Sequence, residues 1–236
     1  MGNTLESCMR LECKNLNFTY PGSEMTVIEN LSFSMENPGF KALFGPSGVG
    51  KTSLAKMIAR RQFRAQDDIV TEKMDTILYA YNLERLPGWS STGKHLSRVT
   101  PVGKERLKDD LVRIFELQDV LDSRFSQLSM GQQNRINLVR YLLQPFDLLI
   151  LDESLANVDE KLRETIILAM KNLFIDKMFL YISHNLMEVS KFCNQILVFG
   201  KSSKGHSMIY GQDYTTGYHL DKEKLDRTML EIMNAF

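Results

Sequence analysis

Gly45-Pro46-Ser47-Gly48-Val49-Gly50-Lys51-Thr52 fits the pattern G-x-x-x-x-G-K-[ST]. In that pattern glycines let the backbone curl until successive N–H groups face one anion. The flanks agree with it. Phe40–Phe44 reads as a short buried strand and Ser53–Ala59 as a helix, whose positive N-terminal end faces the same anion. A chance glycine turn lacks this strand–loop–helix setting. Lys51 is placed to reach the β- and γ-phosphates of a nucleoside triphosphate, and the Thr52 hydroxyl to sit on Mg²⁺. With Ser53, these eight residues form the candidate nucleotide-binding set, for ATP or GTP.

Outward from the loop, strands and helices alternate. Cys8–Tyr20 alternates apolar and polar side chains, as an edge sheet does, and Pro21-Gly22-Ser23 is a turn. Val27–Met35 and Thr76–Tyr81 read as further strands, and Pro87–Gly93 as a loop. Leu107, Leu111, Ile114 and Phe115 give helical spacing to Lys104–Leu121. A second helix is expected over Gln132–Leu143 and a third over Leu162–Leu173. Leu148–Leu151, Met178–Ile182 and Gln195–Phe199 are continuous apolar runs, as in parallel strands buried on both faces. Residues 201–236 are expected to add a hairpin and a final helix. The whole reads as an α/β core with a mainly parallel sheet, interrupted by a helical section over about 83–145.

Composition sets limits. Lys+Arg and Asp+Glu balance at 29 each in 236 residues. No global field therefore recruits nucleic acid or acidic lipid, and no nucleic-acid partner is expected. No apolar run approaches the roughly 20 residues of a membrane span. Met1–Ser7 has no apolar core, as a secretion signal would, and Glu6 departs from an acylation pattern. Cys8, Cys13 and Cys193 are an odd number without C-x-x-C spacing, which fits a reduced cytoplasmic setting and small packing side chains. His95, His206 and His219 lack motif context and are expected on the surface.

Leu148-Leu149-Ile150-Leu151-Asp152-Glu153 carries the second signal. An apolar strand ending in two acids places carboxylates at the sheet edge where ligands gather. Asp152 is a candidate Mg²⁺ holder and Glu153 a candidate base for the attacking water, a role commonly worth about 10²–10⁴-fold. Between loop and acids stands Leu128-Ser129-Met130-Gly131-Gln132-Gln133.

Phosphate loop, L-S-x-G-Q and Asp-Glu in this order resemble the nucleotide-binding subunits of ABC transporters, nearest in style to bacterial importer cassettes, over nearly the whole chain. The resemblance implies a P-loop NTPase core with a mainly parallel sheet, an antiparallel β edge subdomain and an inserted helical subdomain. It implies one domain, 1–236, with core 1–82 and 146–236. Two cassettes would face each other, and ATP on one phosphate loop would be capped by Ser129, Met130, Gly131 and Gln132 of the other. Ser129 also reads as a helix N-cap, and both roles are expected of it. Tyr20 matches the aromatic that stacks on adenine, worth roughly 1–3 kcal/mol. Asp159, in Ala156-Asn157-Val158-Asp159, matches a loop that reaches across the dimer, and also suits an N-cap near Glu160. His184 matches the switch histidine at the γ-phosphate.

Two positions depart from the family pattern. Met130 stands where the signature has Gly, with strain implied if its φ is positive. Asn82 stands where a Gln reaches Mg²⁺ and water, with Gln62 and Gln66 too early to substitute, which implies a slower or more tightly partner-gated ATPase. The chain is too short between Asn82 and Leu128 for the coiled coil of chromosome-maintenance relatives, and it carries one cassette rather than the translation-factor pair. The resemblance implies a membrane permease partner, whose helix would meet Arg85-Leu86-Pro87-Gly88-Trp89, although Trp89 equally suits the core of the helical section. It further implies a second cassette, a solute-binding protein, and a place on the cytoplasmic face of the cell membrane. Leu86-Pro87-Gly88-Trp89 loosely resembles cassettes importing small organic solutes. A lipid- or lipoprotein-moving system and a soluble regulatory ATPase are the other readings.

Overall fold

The continuous apolar runs form the centre of the molecule. The computed structural model describes residues 9–59, 68–82, 84, 90–200 and 205–235. The readings placed on Met1–Ser7, Cys8, Gln62, Gln66 and Arg85–Trp89 lie outside them. Six strands make the main sheet, β3 (Gly39–Phe44), β5 (Ile77–Tyr81), β6 (Leu148–Asp152), β7 (Met178–Ile182), β8 (Gln195–Phe199) and β9 (His206–Ile209), in the order β5-β6-β7-β3-β8-β9. Only β9 runs antiparallel to its neighbour. A second, antiparallel sheet joins β2 (Thr26–Glu36), β1 (Arg10–Thr19) and β4 (Ile69–Glu72). The α/β class, the parallel core and the antiparallel β edge are thus as expected.

Period-two alternation divides the core between two faces of the main sheet. Leu149, Leu151, Phe179, Tyr181, Phe40 and Ala42 face one side, where α4 (Met130–Leu142) and α5 (Glu160–Leu173) pack. Leu148, Ile150, Met178, Leu180 and Leu43 face the other. There α1 (Lys51–Ile58) and the antiparallel sheet cover them. Every residue of β6 and β7 is buried. Each large aliphatic side chain so removed from water contributes roughly 1.5–3 kcal/mol. The register then places the functional ends together. Leu43 pairs with Ile182 and Ile182 with Asp152, so the segments that follow β3, β6 and β7 emerge side by side at one sheet edge.

Between β5 and β6 the described elements are helical: α2 (Thr92–Val99), α3 (Glu105–Ile114) and α4, with two short 3₁₀ turns. The helix expected over Lys104–Leu121 stops early. Glu116 takes φ 50°, its N–H reaches the Arg113 carbonyl at 3.1 Å, and the Leu117 N–H reaches that of Val112 at 3.0 Å. This is a Schellman closure with Glu in the left-handed position usually given to Gly. Three elements are not foreshadowed by sequence pattern: β4, α2, which takes in the end of the expected loop, and α6 (Leu186–Phe192). The final helix α7 (Lys222–Asn234) stands as expected, whereas the described part of 201–236 supplies a single strand, β9, which pairs with β8 rather than forming a hairpin of its own.

His95 and His206 are not surface residues. Both are half-buried, and burial lowers the pKa of each. His219 is exposed. Cys13 and Cys193 are buried, and burial pushes the Cys13 thiol up to about 12 and raises that of Cys193. Among the described residues no helix is long and apolar enough to cross a membrane.

Candidate functional site

Gly45, Gly48 and Gly50 all take positive φ, the conformation that lets the loop turn its N–H groups inward at little steric cost. Gly50 caps α1 at φ 104°. A Cβ there would lie 3.0 Å from Ile28 and 3.1 Å from Val27, so β2 closes the outside of the turn. Lys51 is buried and donates to the carbonyls of Gly45 and Pro46 at 2.8 and 2.7 Å. Burial lowers its pKa, while Glu153 and Asp152 draw it back up. The ammonium is therefore already directed along the loop by the loop's own backbone.

A cavity of about 340 Å³ beside the loop is lined by Ser47, Gly48, Gly50, Lys51, Thr52 and Ser53, together with Tyr20, Glu153 and His184. Sequence separation between these groups is large, and the sheet register accounts for their meeting. Glu153 follows β6 directly and sits at φ 53°. A non-glycine residue in that region stores backbone strain of order 1–3 kcal/mol, as functional positions often do. Its Oε1 lies 2.9 Å from His184 Nε2. Both side chains are nearly half exposed, so each can meet a solvent molecule or a ligand. Tyr20 is 42% exposed, its hydroxyl hydrogen-bonds Ser53 at 2.5 Å, and its ring packs edge-on against Phe18.

A neighbouring cavity of about 550 Å³ brings Thr52, Asp152, Glu153 and Asn82 together with Lys56, Tyr79 and Tyr81. Here sequence reasoning missed two groups. Tyr79 donates its hydroxyl to Asp152 Oδ2 at 2.6 Å, which fixes the carboxylate. Asn134, on α4, donates to Asn82 Oδ1 and to the Ala156 carbonyl, both at 2.9 Å. A tyrosine two residues into a strand that ends at the site was a readable signal for the first. Nothing local marked the second. Glu84 adds to the same seam: it pairs with Arg140 at 2.6 Å and accepts from Tyr141 at 2.7 Å.

The signature residues stand apart. Ser129 caps α4, accepting from the Gln132 N–H at 3.3 Å, while Gln132 Oε1 accepts from the Ser129 N–H at 2.9 Å. This reciprocal capping box satisfies two donors of the first turn. Met130 opens the helix, half exposed, and is not among the positive-φ residues. The strain that its identity raised does not arise. Gly131 has a different reason to be glycine, since a Cβ would lie 2.3 Å from the Asn157 carbonyl oxygen. Asp159 caps α5, accepting from the Leu162 N–H at 2.9 Å. The linings of the two cavities include neither Ser129–Gln132 nor Asp159.

Residues 28–156 match the family model described as ABC transporter. The chain is 28% identical over 221 residues to the spermidine/putrescine import ATP-binding protein PotA of Mannheimia succiniciproducens, covering 86% of this chain and 58% of that protein. It is 29% identical over 206 residues to the ATP-dependent lipid A-core flippase of Pseudomonas fluorescens, covering 77% of this chain and 34% of that protein. The chain thus spans little more than half the length of the first and a third of the second. A solved structure of a bacterial Atm1-family ABC exporter with ATP bound superposes with TM-score 0.73 at 18% identity, over 97% of this chain and 42% of that one. At that identity the likeness concerns the fold.

Proposed function

This chain belongs to the ABC transporter family, and within it we propose the role of the ATP-hydrolysing cassette that powers a membrane transporter, importing a small solute. The observation that carries the reading is the 2.9 Å contact between Glu153 and His184 at the mouth of the phosphate-loop cavity. It joins a carboxylate to a histidine in the cavity that Lys51 also lines, which supports reading the pair as the γ-phosphate end of the site. Glu153 takes the proton of the attacking water, His184 touches the γ-phosphate, and Tyr20 carries the adenine. The cassette is one domain, 1–236, in which 83–145 forms the helical unit.

Mg²⁺ fits the donors present. Thr52, Asp152 and Asn82 share one cavity and offer oxygen atoms. Among the described residues no three His, Cys, Asp or Glu side chains form a metal cluster of their own. A small set of protein oxygens completed by phosphate oxygens is how this ion is commonly held. When bound, it offsets the charge of the triphosphate. Asn82 reaches less far than the Gln it replaces and is already held by Asn134. Asn82→Gln is therefore expected to raise turnover about two- to tenfold and to lower the Mg²⁺ concentration needed for half-maximal rate. Unchanged Mg²⁺ dependence and unchanged turnover would contradict this account of Asn82.

The signature residues and Asp159 act, in this reading, on a second cassette; their absence from the linings of the two cavities beside their own phosphate loop leaves them free to do so. Two copies close around two ATP molecules, closure drives the permease to its other access state, and hydrolysis resets it. The chain works at the cytoplasmic face of the cell membrane through that permease, with a solute-binding protein delivering cargo. Similarity to a lipid A-core flippase supports a second reading, a lipid- or lipoprotein-moving system. Purification from native membranes tests the role. Recovery with a polytopic membrane protein that stimulates its ATPase is expected. A fully active ATPase with no partner would point instead to a soluble regulatory enzyme.

A further inference from the structure

Glu188 is buried, at 6% exposure, and three hydrogen-bond donors and one guanidinium, from three segments, converge on its carboxylate. Oε2 accepts from the Tyr181 hydroxyl at 2.9 Å and from the Ser183 hydroxyl at 3.3 Å. Oε1 accepts from Asn185 Nδ2 at 3.0 Å and pairs with Arg163 Nε. A carboxylate offers about four lone-pair sites; three hydrogen bonds fill most of them here, and the Arg163 guanidinium offsets the charge. Burial and the neighbouring Glu188 raise the pKa of Tyr181, so its hydroxyl remains a donor.

Ser183 and Asn185 flank His184, and Arg163 donates through Nη1 to the Val158 carbonyl at 3.2 Å, one residue before Asp159. One carboxylate thus touches both neighbours of the histidine and, through Arg163, the loop that ends at Asp159. We infer that Glu188 is a positioning residue: it holds His184 against Glu153 and sets the Asp159 loop in step with it, so that both dispositions are fixed together.

The competing explanation is a plain structural pin for α6, whose first turn Asn185 caps by accepting the Glu188 N–H at 3.2 Å. Stability alone is a weak reason for such an arrangement. Buried ion pairs are often replaceable by neutral groups at little or no cost in stability, whereas removing one partner is strongly destabilising. That difference separates the two roles.

The inference rests on the reading of His184 as the γ-phosphate contact, and the experiment keeps the two apart. The double variant Arg163→Met/Glu188→Gln removes the pair as a neutral set, and its Gln still bonds Asn185 and the hydroxyls. It is expected to melt within a few degrees of the parent and to keep its KM for ATP within about twofold, while kcat falls roughly ten- to a hundredfold. Arg163→Lys keeps the charge beside Glu188 but loses the guanidinium fork that reaches Val158, so it is expected to stay folded and to lose about tenfold in kcat. A structural pin would move kcat only in proportion to folded protein. Parent-level kcat in either folded variant, with His184→Ala inactive, overturns this inference alone. Parent-level kcat in His184→Ala overturns the reading beneath it as well.

Discussion

Glu153→Gln is expected to cut ATP turnover by about 10²–10⁴-fold while nucleotide binding is retained. The carboxylate stands directly after β6, where the register with β7 brings it beside His184. It is 43% exposed at the side chain, so water reaches it. Glutamine has the same size and still hydrogen-bonds the imidazole, but it has no basic lone pair to take a proton at neutral pH. In the proposed role binding rests on other groups, chiefly the loop amides and Lys51. A fluorescent ATP analogue and a phosphate-release assay on the same protein measure both quantities. Turnover above a tenth of the parent rate would remove Glu153 from the role of base.

Gly131→Ala is the second large effect, and it comes from packing. The added methyl would sit 2.3 Å from the Asn157 carbonyl oxygen, over an ångström inside ordinary contact. Neither side yields easily. Asn157 occupies a left-handed conformation at φ 62°, and Asn134 ties the adjoining Ala156 carbonyl to the same helix at 2.9 Å. The start of α4 and the loop leading to Asp159 must therefore separate. Overpacking of this kind costs about 1–3 kcal/mol, or roughly 2–12 °C in melting temperature for a chain this size. Turnover is expected to fall about a hundredfold, because the displaced segments are those proposed to face the second cassette. Thermal melting and steady-state ATPase rates decide it. An alanine variant that melts with the parent and keeps its rate would show that the two segments tolerate separation.

The elements that could be read from sequence were those whose burial is uniform. β7 and β8 begin and end where their apolar runs do, because both faces of a central parallel strand are covered. α2 and α6 escaped for the opposite reason. Thr92–Val99 offers Leu96 and Val99 amid polar residues, and Leu186–Phe192 is too short for a helical period to repeat. The end of α3 depended on Glu116 adopting a conformation that its identity does not advertise.

A similar division holds at the site. Lys51, Thr52, Asp152 and Glu153, which line the two adjoining cavities, could be named as candidates from sequence because each motif is contiguous. Tyr79, Asn134 and Glu188 act through partners 73, 52 and 25 positions away along the chain, and only the folded register brings those partners near. Met130 shows the reverse case. Its side chain signalled a departure, and the backbone shows none.

The central claim is the proposal that each site is completed across a pair of cassettes, with Ser129, Gly131 and Asp159, which line neither cavity beside their own phosphate loop, supplied to the partner's site. Sedimentation of the Glu153→Gln variant with ATP and Mg²⁺ measures this most directly. The account predicts a stable dimer that forms with ATP and dissociates with ADP. A variant that binds ATP and Mg²⁺ yet remains monomeric would contradict it.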